Sequence, residues 1–278
     1  MSANPDYQTA DGIRLAGHAW RVDSPRATIA ILHGIGEHGG RYRRFAALAN
    51  AAGISVTCAD LRGHGQSPGE RAYVERFDDY LLDAEAILAQ ARAGAPGCPQ
   101  FLMGHSMGGA IAVHWLARRG ASGLAGVILS SAALKIGPDV PRMLVALAPL
   151  LSRLAPRLRA GAIDPALISS LESEVAAYRD DPLVCHQPPP ARTGAELLKV
   201  IESNRHALPG LTLPVYIFHG DADRLTDPAG SREAHAAWGG VDKTLRIWPG
   251  SRHETLNDSD RERVTGELFD WLLARARN

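Results

Sequence analysis

Gly104-His105-Ser106-Met107-Gly108 is a G-x-S-x-G pentapeptide, set between the short apolar run 101–103 and the apolar stretch 110–116. Strand, sharp turn and helix in that order are the setting in which a serine hydroxyl is lifted above a sheet as a nucleophile. Such a turn crowds its neighbours, and Gly104 and Gly108 remove the Cβ atoms that would collide. Ser106 is therefore the candidate nucleophile. The N–H of Met107, at the start of the helix, is a candidate donor to a developing oxyanion.

A serine hydroxyl is a poor nucleophile at neutral pH, so it needs a base, and the base needs an orienting carboxylate. With a serine on such a turn, the acid and then the histidine follow it along the chain. After the apolar run 215–218 the sequence reads His219-Gly220-Asp221-Ala222-Asp223-Arg224-Leu225-Thr226-Asp227. Asp223 is the acid of choice. Asp221 and Asp227 are alternatives that could instead cap a turn or the next helix. After the run 245–248 comes Pro249-Gly250-Ser251-Arg252-His253-Glu254, in which His253 is the candidate base. His235, also downstream, falls in a helical pattern and reads as a surface residue.

A second oxyanion donor should come from the loop after an earlier strand. The loop His33-Gly34-Ile35-Gly36-Glu37-His38 follows the run 27–32, and its glycines let the backbone curl so that the Ile35 N–H faces Ser106. His33 and His38 read as scaffold hydrogen bonders rather than metal ligands, since no carboxylate or thiol completes a set. In the loop 60–67, Asp60 and Arg62 are expected to form a buried pair bracing the neighbouring loops.

The elements that must hold these loops are legible as well. Candidate strands lie at 7–9, 14–21, 27–32, 54–58, 101–103, 127–129, 215–218 and 245–248. Helical spacing marks 42–52, 79–92, 229–237 and 261–276. Continuous apolar strands alternating with helices predict a mostly parallel α/β sheet covered on both faces, with the site beyond the strands' carboxyl ends. From 134 to 206 no strand is convincing, whereas 143–154 and 165–179 look helical and 188–190 is a proline loop. This stretch exceeds one crossover, since a whole βαβ unit takes about 30 residues. A helical lid at 134–206 is expected, inserted between core segments 1–133 and 207–278.

The 278 residues, 45% hydrophobic and 22% charged, suit one sizeable domain with such an insert. Thirty basic residues balance thirty acidic ones, which argues against a nucleic-acid partner. Cys58, Cys98 and Cys185 are too far apart for a disulfide framework or a zinc site, so a reducing compartment is expected. Residues 1–6 lack the features of a signal peptide, and the apolar run 143–151 is too short to span a bilayer. A soluble cytoplasmic protein follows.

Several motifs together are similar to one family. HGIGEHGGRY at 33–42, DLRGHGQSPGER at 60–71, GHSMGG at 104–109 and HGDADRLTDPAGS at 219–231, with His253, resemble the monoacylglycerol lipases of the α/β-hydrolase superfamily. DPLVC at 181–185 and RHALPGLTLPV at 205–215 resemble them too. The likeness covers nearly the whole chain. It implies a cofactor-independent esterase of lipid substrates with the triad Ser106, Asp223 and His253 and the oxyanion donors Ile35 and Met107. It also implies that Glu37 and Arg41 contact glycerol hydroxyls, although an ion pair fixing their loop is the plainer reading of the same two residues. In animal members a second histidine stands three positions after the catalytic one, where this chain has Leu256. That departure keeps a lysophospholipase or a broad carboxylesterase open. A non-catalytic binding protein on this scaffold would show a broken triad, and none is broken here. Finally, 143–151 is apolar on all sides and flanked by Arg142, Arg153, Arg157 and Arg159. It reads as a wall of an acyl tunnel that also makes transient contact with a membrane surface.

Overall fold

Strand β3 (Ala27–Leu32) shows how the sheet acquires two covered faces. Its side chains alternate, as pleating requires: Ala27, Ile29 and Ile31 enter one apolar cluster, and Ala30 and Leu32 enter the other. Every residue of β3 is buried, and so are those of β4 (Ile54–Ala59), β5 (Gln100–His105), β6 (Gly126–Ser130) and β7 (Val215–Gly220). A strand buried on both faces stands in the middle of a parallel sheet.

The structure is a computed structural model and describes residues 6–121, 123–160 and 164–276. Of residues 1–6, on which the signal-peptide expectation rests, residues 1–5 lie outside the described residues. Eight strands pair in the order β1-β2-β4-β3-β5-β6-β7-β8, with β1 at Asp6–Gln8, β2 at Arg14–Trp20 and β8 at Lys243–Trp248. The first two strands pair antiparallel and β2 runs antiparallel to β4; all the later pairings are parallel. On one face α1 (Arg43–Ala51) and α8 (Arg261–Arg275) pack through Phe45 and Phe269. On the other lie α2 (Asp79–Gly94), α3 (Met107–Arg119) and α7 (Pro228–Ala237). This is the mostly parallel α/β sheet, covered on both faces, that the strand and helix pattern predicts, and it is the α/β-hydrolase arrangement that the resemblance implies.

Between β6 and β7 the chain runs through α4 (Arg142–Leu154), α5 (Glu172–Asp180) and α6 (Ala191–Ala207). Two expectations are corrected here. The helical reading of 165–179 breaks into a short 3₁₀ turn, Pro165–Leu167, followed by α5. Ser169 donates to the Asn257 carbonyl at 2.8 Å, and the Ser170 N–H donates to Asp258 at 3.0 Å, so both serines are bound to the core instead of continuing a helix. Helix α6 was not anticipated behind the prolines. It starts directly after Pro190, whose extended backbone makes a clean helix entry.

A third correction concerns Asp60 and Arg62, which are buried but not paired with each other. Asp60 accepts from the Gly39 and Gln66 N–H groups, each at 2.8 Å, and faces His18 Nε2 at 2.8 Å. Arg62 turns the opposite way, onto Asp83 and Asp11. The two residues brace loops as expected, through separate partners. Among the described residues no helix is long and apolar enough to cross a membrane.

Candidate active site

The predicted site residues all follow the carboxyl ends of parallel strands: Ile35, Glu37, Ser106, Asp223 and His253 on loops or turns, Met107 as the first residue of α3 and Arg41 in the 3₁₀ turn Gly39–Tyr42. Ser106 terminates β5 and caps α3 with φ 52° and ψ −119°, a conformation that is strained for any residue with a Cβ. The strain is held from both sides. The Ser106 N–H donates to the Ser130 carbonyl at 3.0 Å, and the Ser106 carbonyl accepts from Ala133 at 2.8 Å and Gly109 at 3.0 Å. A Cβ on Gly108 would stand 2.0 Å from the Leu32 carbonyl oxygen, and one on Gly104 would stand 2.3 Å from the Gly108 oxygen. The two glycines are thus required by close packing of turn, helix and sheet.

Asp223 is the acid that meets His253. Its Oδ2 lies 2.7 Å from His253 Nδ1, while Oδ1 accepts the N–H groups of Leu225 at 2.8 Å and Thr226 at 3.1 Å. His219, four residues upstream, donates through Nε2 to the same carboxylate at 2.9 Å, and its Nδ1 accepts from Ser231 at 2.7 Å. A carboxylate can only accept, so His253 carries its proton on Nδ1 and leaves Nε2 free as a base. Burial opposes charge on Asp223, but the His253 and His219 rings override it and hold the carboxyl well below its ordinary range. Burial likewise opposes charge on His253, yet Asp223 wins and raises its pKa above the usual 6.5. Asp221 instead accepts from the Gly250 N–H and Asp227 caps α7 through Ala229 N–H, the two alternative roles anticipated for them.

Ser106 and His253 line one cavity together with Gly34, Ile35 and Met107. Among the hydrogen bonds of the described residues none joins Ser106 to His253 directly; in substrate-free sites this contact often tightens only in the Michaelis complex. The His105 ring lies against His253 with centroids 4.8 Å apart, and burial pushes its pKa down to about 4, so it presents a neutral wall. The cavity has a volume of about 510 Å³. Its far walls are apolar: Leu144, Val145, Ala148 and Leu151 from α4, and Leu197, Leu198 and Ile201 from α6.

The loop carrying Ile35 is held at several points. His33 donates from Nδ1 to the Gly34 carbonyl at 2.7 Å and accepts the Leu61 N–H on Nε2 at 2.8 Å. Gly36, at φ 79°, presents its carbonyl to the Cys185 N–H at 2.7 Å, and His38 meets Asp181 at 2.8 Å. Segment 181–185 therefore binds the back of this loop. Glu37 lines the cavity and accepts the Gly34 N–H at 2.6 Å. Burial would raise its carboxyl, but Arg41 and His105 outweigh that and bring it to about 2. Arg41 does not reach the cavity. It pairs with Glu37 at 2.9 Å and forks onto Glu254 at 2.6 and 2.8 Å, beside a recess of about 20 Å³ that Leu256 also lines.

Sequence reading missed His219, Thr226, Glu254 and the docking role of 181–185. His219 and Glu254 carry a weak signal, since each directly borders a chosen residue or lies in its loop. For 181–185 the only signal was the likeness of DPLVC to one family.

Comparison with known proteins gives a family and close structural likeness. The family model described as serine aminopeptidase, S33, matches residues 23–260. A monoacylglycerol lipase of Mycolicibacterium smegmatis is 33% identical, over 95% of this chain and 94% of that protein. A human monoglyceride lipase is 36% identical, over 95% of this chain and 87% of that one. The crystal structure of a Paleococcus ferrophilus monoacylglycerol lipase superposes with a TM-score of 0.85 at 31% identity, covering 94% of this chain and 99% of that one.

Proposed function

The chain belongs to the serine aminopeptidase S33 family, alongside the monoacylglycerol lipases it resembles, and from that premise we propose that it hydrolyses lipid esters, monoacylglycerol foremost, to fatty acid and glycerol. One observation carries the reading: a strained serine and an Asp223–His253 pair at 2.7 Å open onto an apolar cavity of about 510 Å³. Polar chemistry at one end and apolar walls beyond it match an ester linked to a long acyl chain, each buried CH₂ contributing about 0.8 kcal/mol.

Ser106 Oγ attacks the ester carbonyl while His253 Nε2 takes its proton. The N–H groups of Ile35 and Met107 receive the oxyanion, each worth about 3 kcal/mol in the transition state. The intermediate collapses, His253 returns the proton to the departing alcohol, and an acyl-enzyme remains on Ser106. Water deprotonated by His253 then attacks that ester and releases the fatty acid. Glu37, ionised beside the cavity, accepts from an alcohol hydroxyl, and Arg41 behind it holds that carboxylate in place. Residues 134–206 act as the lid over core segments 1–133 and 207–278.

The outer face of α4 supports transient contact with a membrane surface by a cytoplasmic protein. Met143, Leu147, Leu150 and Leu154 are 73%, 41%, 54% and 76% exposed along one side of a helix whose other side walls the cavity. Of the four flanking arginines, Arg142 and Arg153 are exposed on this helix and suit anionic head groups. Arg157 instead binds Glu70 and Arg159 binds the Pro188 carbonyl.

A substrate panel tests the proposal: monoacylglycerols, diacylglycerols, lysophosphatidylcholine and p-nitrophenyl esters. Monoacylglycerol should turn over fastest, and Ser106→Ala should lose all hydrolysis, by more than about 10⁴-fold. Hydrolysis by Ser106→Ala would overturn the mechanism. Faster turnover of lysophosphatidylcholine would move the substrate to the phospholipid class, the alternative kept open by Leu256 in place of a second histidine.

A further inference from the structure

Glu254 follows the general base and borders the cavity, and its carboxylate is bound by Arg41. Both of its oxygens are used, Oε1 by Nη1 at 2.6 Å and Oε2 by Nη2 at 2.8 Å. Arg41 Nη1 also reaches Glu37 Oε2 at 2.9 Å. Glu37 in turn spends Oε1 on the Gly34 N–H at 2.6 Å and the Tyr42 hydroxyl at 3.1 Å. Gly34 is bonded to Ile35, the residue that offers the oxyanion N–H. A continuous chain of charge-assisted hydrogen bonds thus runs from the residue after His253 to the peptide before the Ile35 N–H.

The three charged side chains are almost fully withdrawn from water, at 6% exposure for each glutamate and 9% for the arginine. Two carboxylates share one guanidinium there, and removing Glu254 takes the acceptor from the Arg41 Nη2 donor in a place water reaches poorly. Bidentate arginine–carboxylate pairs fix direction as well as distance. An ordinary loop brace would need only the local pair four residues apart, Glu37 with Arg41. The link across 213 residues to Glu254 serves no local turn.

We propose that Glu254 is a positioning residue for ester hydrolysis: through Arg41 and Glu37 it locks the loop of the oxyanion donor to the loop of the general base, so that both meet the substrate in fixed relation. The inference rests on the reading of Ser106 as the nucleophile. Catalysis is sensitive to this relation, because misplacement by about 1 Å can cost on the order of 100-fold.

Glu254→Gln keeps the shape and removes the charge. It should lower kcat about 10- to 100-fold for monoacylglycerol and for p-nitrophenyl butyrate alike, with KM within about threefold, counting only sites titrated by a fluorophosphonate. Glu254→Asp should recover part of the loss. Arg41→Lys, which keeps charge but loses the fork, should reproduce the defect, and the double variant Glu254→Gln/Arg41→Lys should be no worse than the poorer single. The Arg41→Lys and Glu254→Asp pair carries the test if Glu254→Gln does not fold. A defect confined to monoacylglycerol would make this a glycerol contact and overturn the inference. A fall in melting temperature with unchanged kcat per titrated site would overturn it as well. If Ser106→Ala is inactive while Glu254→Gln turns over both esters normally, this inference alone fails. If Ser106→Ala retains activity, the reading beneath it fails.

Discussion

Around Asp223, hydrogen bonds from His253, His219, Leu225 and Thr226 converge on a single buried carboxylate. Along α4, thirteen residues separate solvent from cavity, and the polar ties to the rest of the protein cluster beyond its ends: Asp139 with Arg224 on one side, Arg157 with Glu70 and Arg159 with the Pro188 carbonyl on the other. The first region fixes atoms to within a hydrogen-bond length. The second supplies apolar area with few directional constraints. One protein therefore holds chemistry rigid and leaves shape adjustable, and substitutions in the two regions should fail in different ways.

The strongest contrast comes from Asp223→Asn. It should lower kcat/KM by about 10³- to 10⁴-fold on every ester, because the histidine loses both its orientation and its tautomer. The pH profile sharpens this. Activity needs neutral His253, and its pKa is raised above 6.5 by Asp223, so the acid limb of kcat/KM should lie above that value. Removing the carboxylate should move the limb to lower pH. For stability the sign is the reverse: the His253–Asp223 attraction contributes fully below the unfolded histidine value and fades as pH rises through the raised one.

Next in size, Gly108→Ala should destabilise the fold by a few kcal/mol, measured by urea denaturation, since its Cβ meets the Leu32 carbonyl oxygen at 2.0 Å. In the adjustable region, Ala148→Phe should cut turnover of long-chain monoacylglycerols by about tenfold while leaving p-nitrophenyl acetate unaffected, with a stability cost of about 1–3 kcal/mol. Equal loss on both substrates would erase the distinction drawn between the regions. The smallest effect belongs to Leu147→Glu with Leu150→Glu. Hydrolysis of soluble short esters and the melting temperature should hold, and turnover of monoacylglycerol in anionic vesicles should drop several-fold.

The same contrast explains what could be read from the residues in order. The triad loops announce themselves because glycine-bounded turns after apolar strands have few alternatives, and β3, β5, β7 and β8 contain the apolar runs from which they are expected. Helix α6 carries Thr193 and Asn204 at buried positions, with Gly194 beside them, and so lacks a clean apolar stripe. The break before α5 depends on Asp258, 88 residues away, capturing Ser170. Partners this distant leave no local signal. Asp60 and Arg62 illustrate the same limit: the residue types predicted burial and bracing, but whether they joined each other or His18 and Asp83 was decided by the fold.

Segment 181–185 lies within the stretch that varies the cavity, yet Cys185 and Asp181 grip the loop bearing the Ile35 amide. For anyone grafting a relative's cap onto this scaffold to retune chain length, the usable seams enclose α4 and α6 and leave those five residues where they are. A transplant that swept them away would be expected to bind its new acyl chain and yet turn it over slowly.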